Sequence, residues 1–143
     1  MITAVLAVTG ATAVTDTEVA YGQIVTEDNL SLEERLAGET HTETIVREYF
    51  EDIPVMIQVA RCESTFRHTM NDGSVLQGRV DPADTGVMQI NKRYHLKSAT
   101  NMGLNLDDIF DNMAYARHLY EKQGTQPWSA SSPCWGRTLA YNN

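Results

Sequence analysis

Three kinds of residue in this 143-residue chain could do covalent chemistry: an acid at the close of an apolar run, two cysteines and four histidines. The acid, Glu63, sits in VARCESTFRH, where apolar sequence gives way to polar. At the C-terminal end of a buried helix a carboxylate meets the partial negative charge of free carbonyls and is poorly solvated. Both effects raise its pKa. A carboxyl that stays protonated near neutral pH can give a proton to a poor leaving group such as a glycosidic oxygen. Arg61 and Arg67 are close in sequence and favour the charged form, although Arg61, two residues back, points to another side of the helix. The alternative is a solvated helix-end charge.

Cys62 and Cys134 have three readings. A disulfide would close a loop of about 70 residues, contribute roughly 4 kcal/mol in the chain-entropy model, and anchor the end of the chain beside Glu63. Cys62 with His95 or His118 would make a nucleophile and base, but no local motif supports the pair. A zinc site from Cys62, Cys134 and two of His41, His68, His95 and His118 lacks close ligand pairs. Histidines so dispersed read as surface residues. Asn71-Asp72-Gly73-Ser74 lacks the ligand spacing and terminal Glu of a calcium loop and reads as a turn. Neither a metal nor a cofactor is expected.

The elements that must position these groups suit one small domain, given 42% hydrophobic content. The net charge of −8 is uneven. Residues 1–52 hold 11 acids against Arg35 and Arg47 (−9), and residues 53–143 hold 8 acids against 9 bases (+1). With no basic cluster, nucleic acid is not an expected partner. The opening MITAVLAVTGATA is apolar and small-residue-rich but has no positive n-region, so residues 1–41 read as a signal or anchor remnant followed by an acidic arm. A short helix is expected at 30–37 and the folded domain over 42–143.

Within that domain THTETIVREYFED places Ile45, Val46, Tyr49 and Phe50 on one stripe, a helix of about nine residues capped by Thr42 or Thr44. Pro54 suits the first turn of a second helix, IPVMIQVARCE, apolar around most of its circumference and therefore buried. Asn71-Asp72-Gly73 between β-compatible segments predicts a hairpin over 65–80. A short helix is expected through GVMQINKRYH. The last clear helix is LDDIFDNMAYARHLYEKQG, capped by Asp107 or Asp108 and ended by Gly124. The fold class is α+β, mainly α, with one small hairpin.

Residues 53–67, IPVMIQVARCESTFR, resemble the signature helix of lysozyme-like lytic transglycosylases, an apolar helix ending in Glu-Ser followed by x-Phe. GVMQIN at 86–91 is similar to that family's Gly-Leu-Met-Gln-Ile segment. DNMAYARHLYEK is similar to its Asn-Ile-x-x-Gly-x-x-Tyr-Leu helix, with Asn112 matching and Ala116 standing where glycine is usual. The three blocks fall in the family's order across residues 45–135.

The resemblance implies a lysozyme-like domain that cleaves the β-1,4 bond between N-acetylmuramic acid and N-acetylglucosamine in peptidoglycan, with Glu63 as general acid and then base. A hydrolase would need a second carboxyl, and the candidates are Asp81 and Asp84 in RVDPADTG, with Asp84 the one that keeps hydrolysis open. Goose-type lysozymes carry an Asp directly after the Met-Gln-hydrophobic run, where this chain has Asn91, a departure that favours the transglycosylase. A cell-wall-binding module without turnover is the rival of both. The resemblance also brings Gln89 and the backbone around Met88 to the floor of a sugar cleft, and Tyr115 and Ser64 near it, although Met88 and Ile90 also read as core and Ser64 as a helix terminator. Tyr141 in AYNN is similar to a family tyrosine that approaches the acid. Trp128 and Ser129 in PWSASSPCW could line the same side, Trp128 offering a flat face and an N–H to a sugar, or sealing the core. The implied partner is the glycan strand of peptidoglycan, met by an exported monomer associated with the cell wall or with a membrane.

Overall fold

The structure, a computed structural model, describes residues 32–140, with side chains from 41 to 137. The expected signal or anchor segment and most of the acidic arm lie outside these residues. The order is α1 (Leu32–Tyr49), α2 (Pro54–Ser64), β1 (Asp84–Thr85), β2 (Ile90–Asn91), α3 (Lys92–Asn101), α4 (Ile109–Gln123), a 3₁₀ turn (Gln126–Ser131) and α5 (Ser132–Ala140). The fold is therefore mainly helical with a small antiparallel ribbon.

Helix α1 corrects one expectation. The short helix at 30–37 and the one beginning at Thr42 are a single helix, so Thr42 and Thr44 lie inside it rather than capping it. No proline interrupts residues 32–49, and one interior glycine costs only about 1 kcal/mol, too little to break the run. Its expected stripe is real: Val46 and Phe50 are buried, and Ile45 and Tyr49 pack against the core.

Helix α2 begins with Pro54, whose missing N–H and fixed φ suit a first turn. Met56, Ile57, Val59 and Ala60 are buried, each of the larger ones contributing about 1.5–3 kcal/mol. The helix packs against α1, α5 and the 3₁₀ turn, the central position its apolar circumference requires. It stops abruptly: Thr65 and Phe66 both take left-handed backbone, at φ 56° and 58°. Such φ values cost a non-glycine residue roughly 1–3 kcal/mol each. Phe66, buried, repays part of that by filling the core.

The β region differs from expectation. The turn at Asn71-Asp72-Gly73 forms, with Met70 N–H on Ser74 O at 2.7 Å and Asp72 Oδ1 accepting from Ser74 N at 3.0 Å. Its ladder is limited to one bridge, Thr69 to Val75. The chain beyond is shared between two neighbours, since Leu76 N–H donates to His68 O while Leu76 O accepts from Gly86 N–H. The regular ribbon is instead β1 with β2, pairing Asp84 with Asn91 and Thr85 with Ile90.

GVMQ, expected as helix, is the turn joining those strands, and helix begins only at Lys92. Gly86 is at φ +72°, and a Cβ there would lie 2.7 Å from Asn112 Nδ2, so glycine is required by both conformation and space. Asn112, fully buried on α4, holds the turn: its Oδ1 accepts from Met88 N at 3.0 Å, and its Nδ2 donates to Thr85 O at 3.0 Å and Leu106 O at 2.9 Å. These bonds satisfy the turn's own polar groups without helical pairing. Helix α4 forms as expected, with Asp108 Oδ1 capping Phe110 and Asp111 N–H and Gly124 closing it at φ 61°.

Candidate functional site

Cys62 and Cys134 are joined in a disulfide with Cα atoms 6.0 Å apart. Bonded cysteines offer no thiolate, which removes both the nucleophile–base pair and the zinc site. The bond fits an oxidising compartment. Among the described residues no helix is long and apolar enough to cross a membrane. The disulfide joins the end of α2 to the start of α5 and so brings the 3₁₀ turn against Glu63.

Glu63 is partly buried and lines a cleft of about 490 Å3. Burial pushes its pKa up, the Ser131 hydroxyl holds it down in part, and the negative charge of Asp84 pushes it up again. Ser131 Oγ donates to Glu63 Oε1 at 2.6 Å. The arginines that could have charged Glu63 have other partners: Arg61 Nε donates to Gln58 Oε1 at 3.1 Å and Arg67 Nε to Ser64 O at 3.3 Å.

Across the cleft, Asp84 projects from β1 and Asn91 from β2. Asn91 Nδ2 donates to Asp84 Oδ1 at 2.8 Å and to Asp81 Oδ2 at 3.0 Å, and its Oδ1 accepts from Arg93 N at 3.0 Å. Asn91 is thus a clamp and a helix cap, with its amide fully engaged rather than free for an acetamido group. Asp81 is held below the usual carboxylate range, chiefly by the Ala83 backbone N–H and also by Asn91 and Arg93.

Several expected cleft residues have other positions. Met88 is fully buried, its N–H on Asn112 and its carbonyl accepting from Trp128 Nε1 at 2.9 Å. Trp128 is 3% exposed, so it seals the core, touches the cleft only at its edge and has no N–H to offer a sugar. Ser64 is buried, with Oγ donating to Ala60 O at 3.0 Å; it ends the helix. Ile90 is core. Tyr115 is buried and meets the cleft only through His95, whose Nδ1 lies 3.1 Å from its hydroxyl. Ser129 is exposed and outside the cleft lining. Gln89 does line it, at φ 49°, with Nε2 donating to Gly86 O at 2.8 Å. Tyr141 lies outside the described residues.

His68 corrects the surface reading of the histidines. It is buried, its Nδ1 accepting from Val87 N–H at 3.2 Å and its Nε2–H donating to Asp107 O at 2.9 Å, which together dictate its tautomer.

Tyr94, Leu119, Gln123, Gln126, Pro127 and Ala130 line the cleft without having been singled out for it, and Ser131 reaches it through its bond to Glu63. The signal for Ser131 was its place one helical turn before Cys134, the partner of the residue before Glu63. His95 lines the cleft too, with its pKa lowered by burial. Together these groups form a groove with one acid of raised pKa, one clamped carboxylate and a wall of amides, suited to a neutral polar ligand. Neither family models, nor curated proteins, nor solved structures match this chain.

Proposed function

We propose that this chain is a lysozyme-like lytic transglycosylase that cleaves the β-1,4 bond between N-acetylmuramic acid and N-acetylglucosamine in peptidoglycan. The observation that carries the reading is the state of Glu63. Its carboxyl is raised in pKa by burial, sits in an open cleft, and has no ion-pair partner among the described residues. In the first step Glu63 gives its proton to the glycosidic oxygen as the bond from that oxygen to C1 of the muramyl ring breaks. The carboxylate then takes the proton of the muramyl 6-hydroxyl, and O6 closes onto C1. One carboxyl returns to its starting state, and no water is consumed.

The cleft suits N-acetylated sugars. Its volume of about 490 Å3 lies in the usual range for small-ligand sites of ~300–1,000 Å3. Gln123 and Gln126, exposed on its wall, have amides without hydrogen-bond partners among the described residues and can pair with acetamido groups. The disulfide supports an exported protein, as does the compartment where such a polymer is found.

One observation favours a second reading. Asp84 lines the same cleft and acts electrostatically on Glu63, as the second carboxyl of a hydrolase would. Digestion of purified peptidoglycan with products read by mass separates the two. Anhydro-muramyl ends, lighter by one water, support the transglycosylase, and reducing ends support hydrolysis. Glu63→Gln is expected to lower either activity by about 10²–10⁴. A wild-type protein that binds strands and releases no products is a binding module, and the proposal fails.

A further inference from the structure

A second groove, of about 600 Å3, lies on the other face of the β1–β2 ribbon. Side chains alternate along a strand. Asp84 and Asn91 therefore line the Glu63 cleft, while their neighbours Thr85 and Lys92 line the second groove. Its apolar surface comes from Val75 and Leu76, with Met70 exposed at 45%.

The charges in it are distinctive. Lys92 Nζ is paired with Asp107 Oδ1 at 2.5 Å, and Thr85 Oγ1 donates to the same oxygen at 3.2 Å. Arg67 and Arg79 also line the groove. Neither has a carboxylate partner among the described residues, whereas Arg47, Arg93 and Arg117 each have one. A chain of net charge −8 thus leaves two guanidiniums over one apolar surface without a carboxylate among the described residues, Arg67 spending only its Nε on Ser64 O. A guanidinium fork matches a carboxylate in two parallel hydrogen bonds. With no aromatic side chain lining the groove, nothing there can stack a base, which argues against a nucleic acid.

We propose that this groove binds the stem peptide of peptidoglycan, an inference that rests on the glycan-cleaving reading above. That peptide combines free carboxylates, alanine methyl groups and, in its diamino residue, one ammonium. The carboxylates pair with Arg67 and Arg79, the methyl groups cover Val75 and Leu76, and the ammonium meets Asp107, whose Oδ2 makes no hydrogen bond among the described residues. The Glu63 cleft then holds the glycan while the far face of the ribbon reads the peptide hanging from it.

The test uses the full chain and N-acetyl-L-Ala-γ-D-Glu-meso-diaminopimelate, titrated with amide chemical shifts as the readout. Saturable shifts at Leu76, Gln77 and Thr85 are expected, with binding weakened at least tenfold by Arg79→Glu and by Arg67→Gln. Arg79 is exposed and makes no hydrogen bond or ion pair among the described residues, so its replacement does not threaten the fold. The same peptide with its carboxylates amidated is expected to bind at least tenfold more weakly. No saturable binding, equal binding of the amidated peptide, or equal shifts from inorganic phosphate at the same concentration overturns the proposal. Cleavage is assayed separately. Strands cut without peptide binding overturn the groove assignment and leave the glycan reading standing; peptide bound in the groove with no strand cut does the reverse.

Discussion

Ser131 donates to Glu63 Oε1 at 2.6 Å across 68 positions of sequence, and the same hydroxyl lies 3.1 Å from Trp128 O. A hydroxyl has one hydrogen and two lone pairs. When Glu63 is ionised the hydrogen turns to the carboxylate; when Glu63 is protonated, the acid can donate to Oγ and the hydroxyl hydrogen turns to the Trp128 carbonyl. Ser131 therefore accommodates both states of a group that the proposed mechanism uses first as acid and then as base. Neither state leaves a buried polar atom without a partner.

Ser131→Ala removes the influence that lowers the Glu63 pKa and leaves burial and Asp84, which raise it. The pKa rises further. Because the reaction begins with protonated Glu63, the alkaline limb of kcat/KM moves to higher pH. A pH–rate profile of the variant against wild type checks this, and a limb that stays in place or moves to lower pH contradicts it.

Glu63 is also expected to lower stability at neutral pH. Its folded pKa lies above its ordinary value of 4.5, so between those two pKa values the folded state binds more protons than the unfolded chain. Stability then falls as pH rises through that window. Glu63→Gln keeps an acceptor for Ser131 and removes the charge. The variant is expected to melt above wild type at pH 8 and to lose that advantage near pH 4. Thermal melts across pH 4–8 measure the gap, and a gap that does not widen with pH counts against a raised pKa.

Asn112→Ala strips partners from three buried backbone groups, Met88 N–H and the carbonyls of Thr85 and Leu106. Each orphan costs about 1–3 kcal/mol, so the variant is expected to lose roughly 3 kcal/mol or more in urea unfolding. Asn112→Asp is no remedy, since an ionised carboxylate has no hydrogen to give two carbonyls. The loss also reaches the cleft, because Gln89 belongs to the turn that Asn112 holds and Asn91 lies on the strand that leaves it.

How legible this was in the sequence depends on the range of the forces involved. Helix α4 could be read from Asp108, its apolar stripe and Gly124, all local signals. The position of Glu63 at the end of α2 and its raised pKa followed from the apolar run before it, and the disulfide from an even cysteine count. The turn at GVMQ was read as helix because its cause, Asn112, lies 24 positions from Met88. Trp128 and Met88 looked like cleft residues until their mutual hydrogen bond placed them in the core. Asn91 looked free to meet substrate, and only the fold brings Asp81 and Asp84 to its amide. Local chemistry names residue types, but the partners that consume their hydrogen bonds come from afar.

Asp84→Asn separates the two chemical readings. The amide oxygen can still accept from Asn91 Nδ2, so the ribbon keeps its clamp. Removing the Asp84 charge takes away one of the effects that raise the Glu63 pKa, and the alkaline limb of kcat/KM moves to lower pH. With Glu63 alone doing the chemistry, kcat at the new optimum stays within about tenfold of wild type, and the products keep anhydro ends. With Asp84 acting as nucleophile or base, kcat falls by about 10²–10⁴ at every pH, and the single-carboxyl mechanism is wrong. Measuring kcat, the pH limb and product mass on one preparation decides between them, because a variant that merely misfolds loses activity without moving the limb.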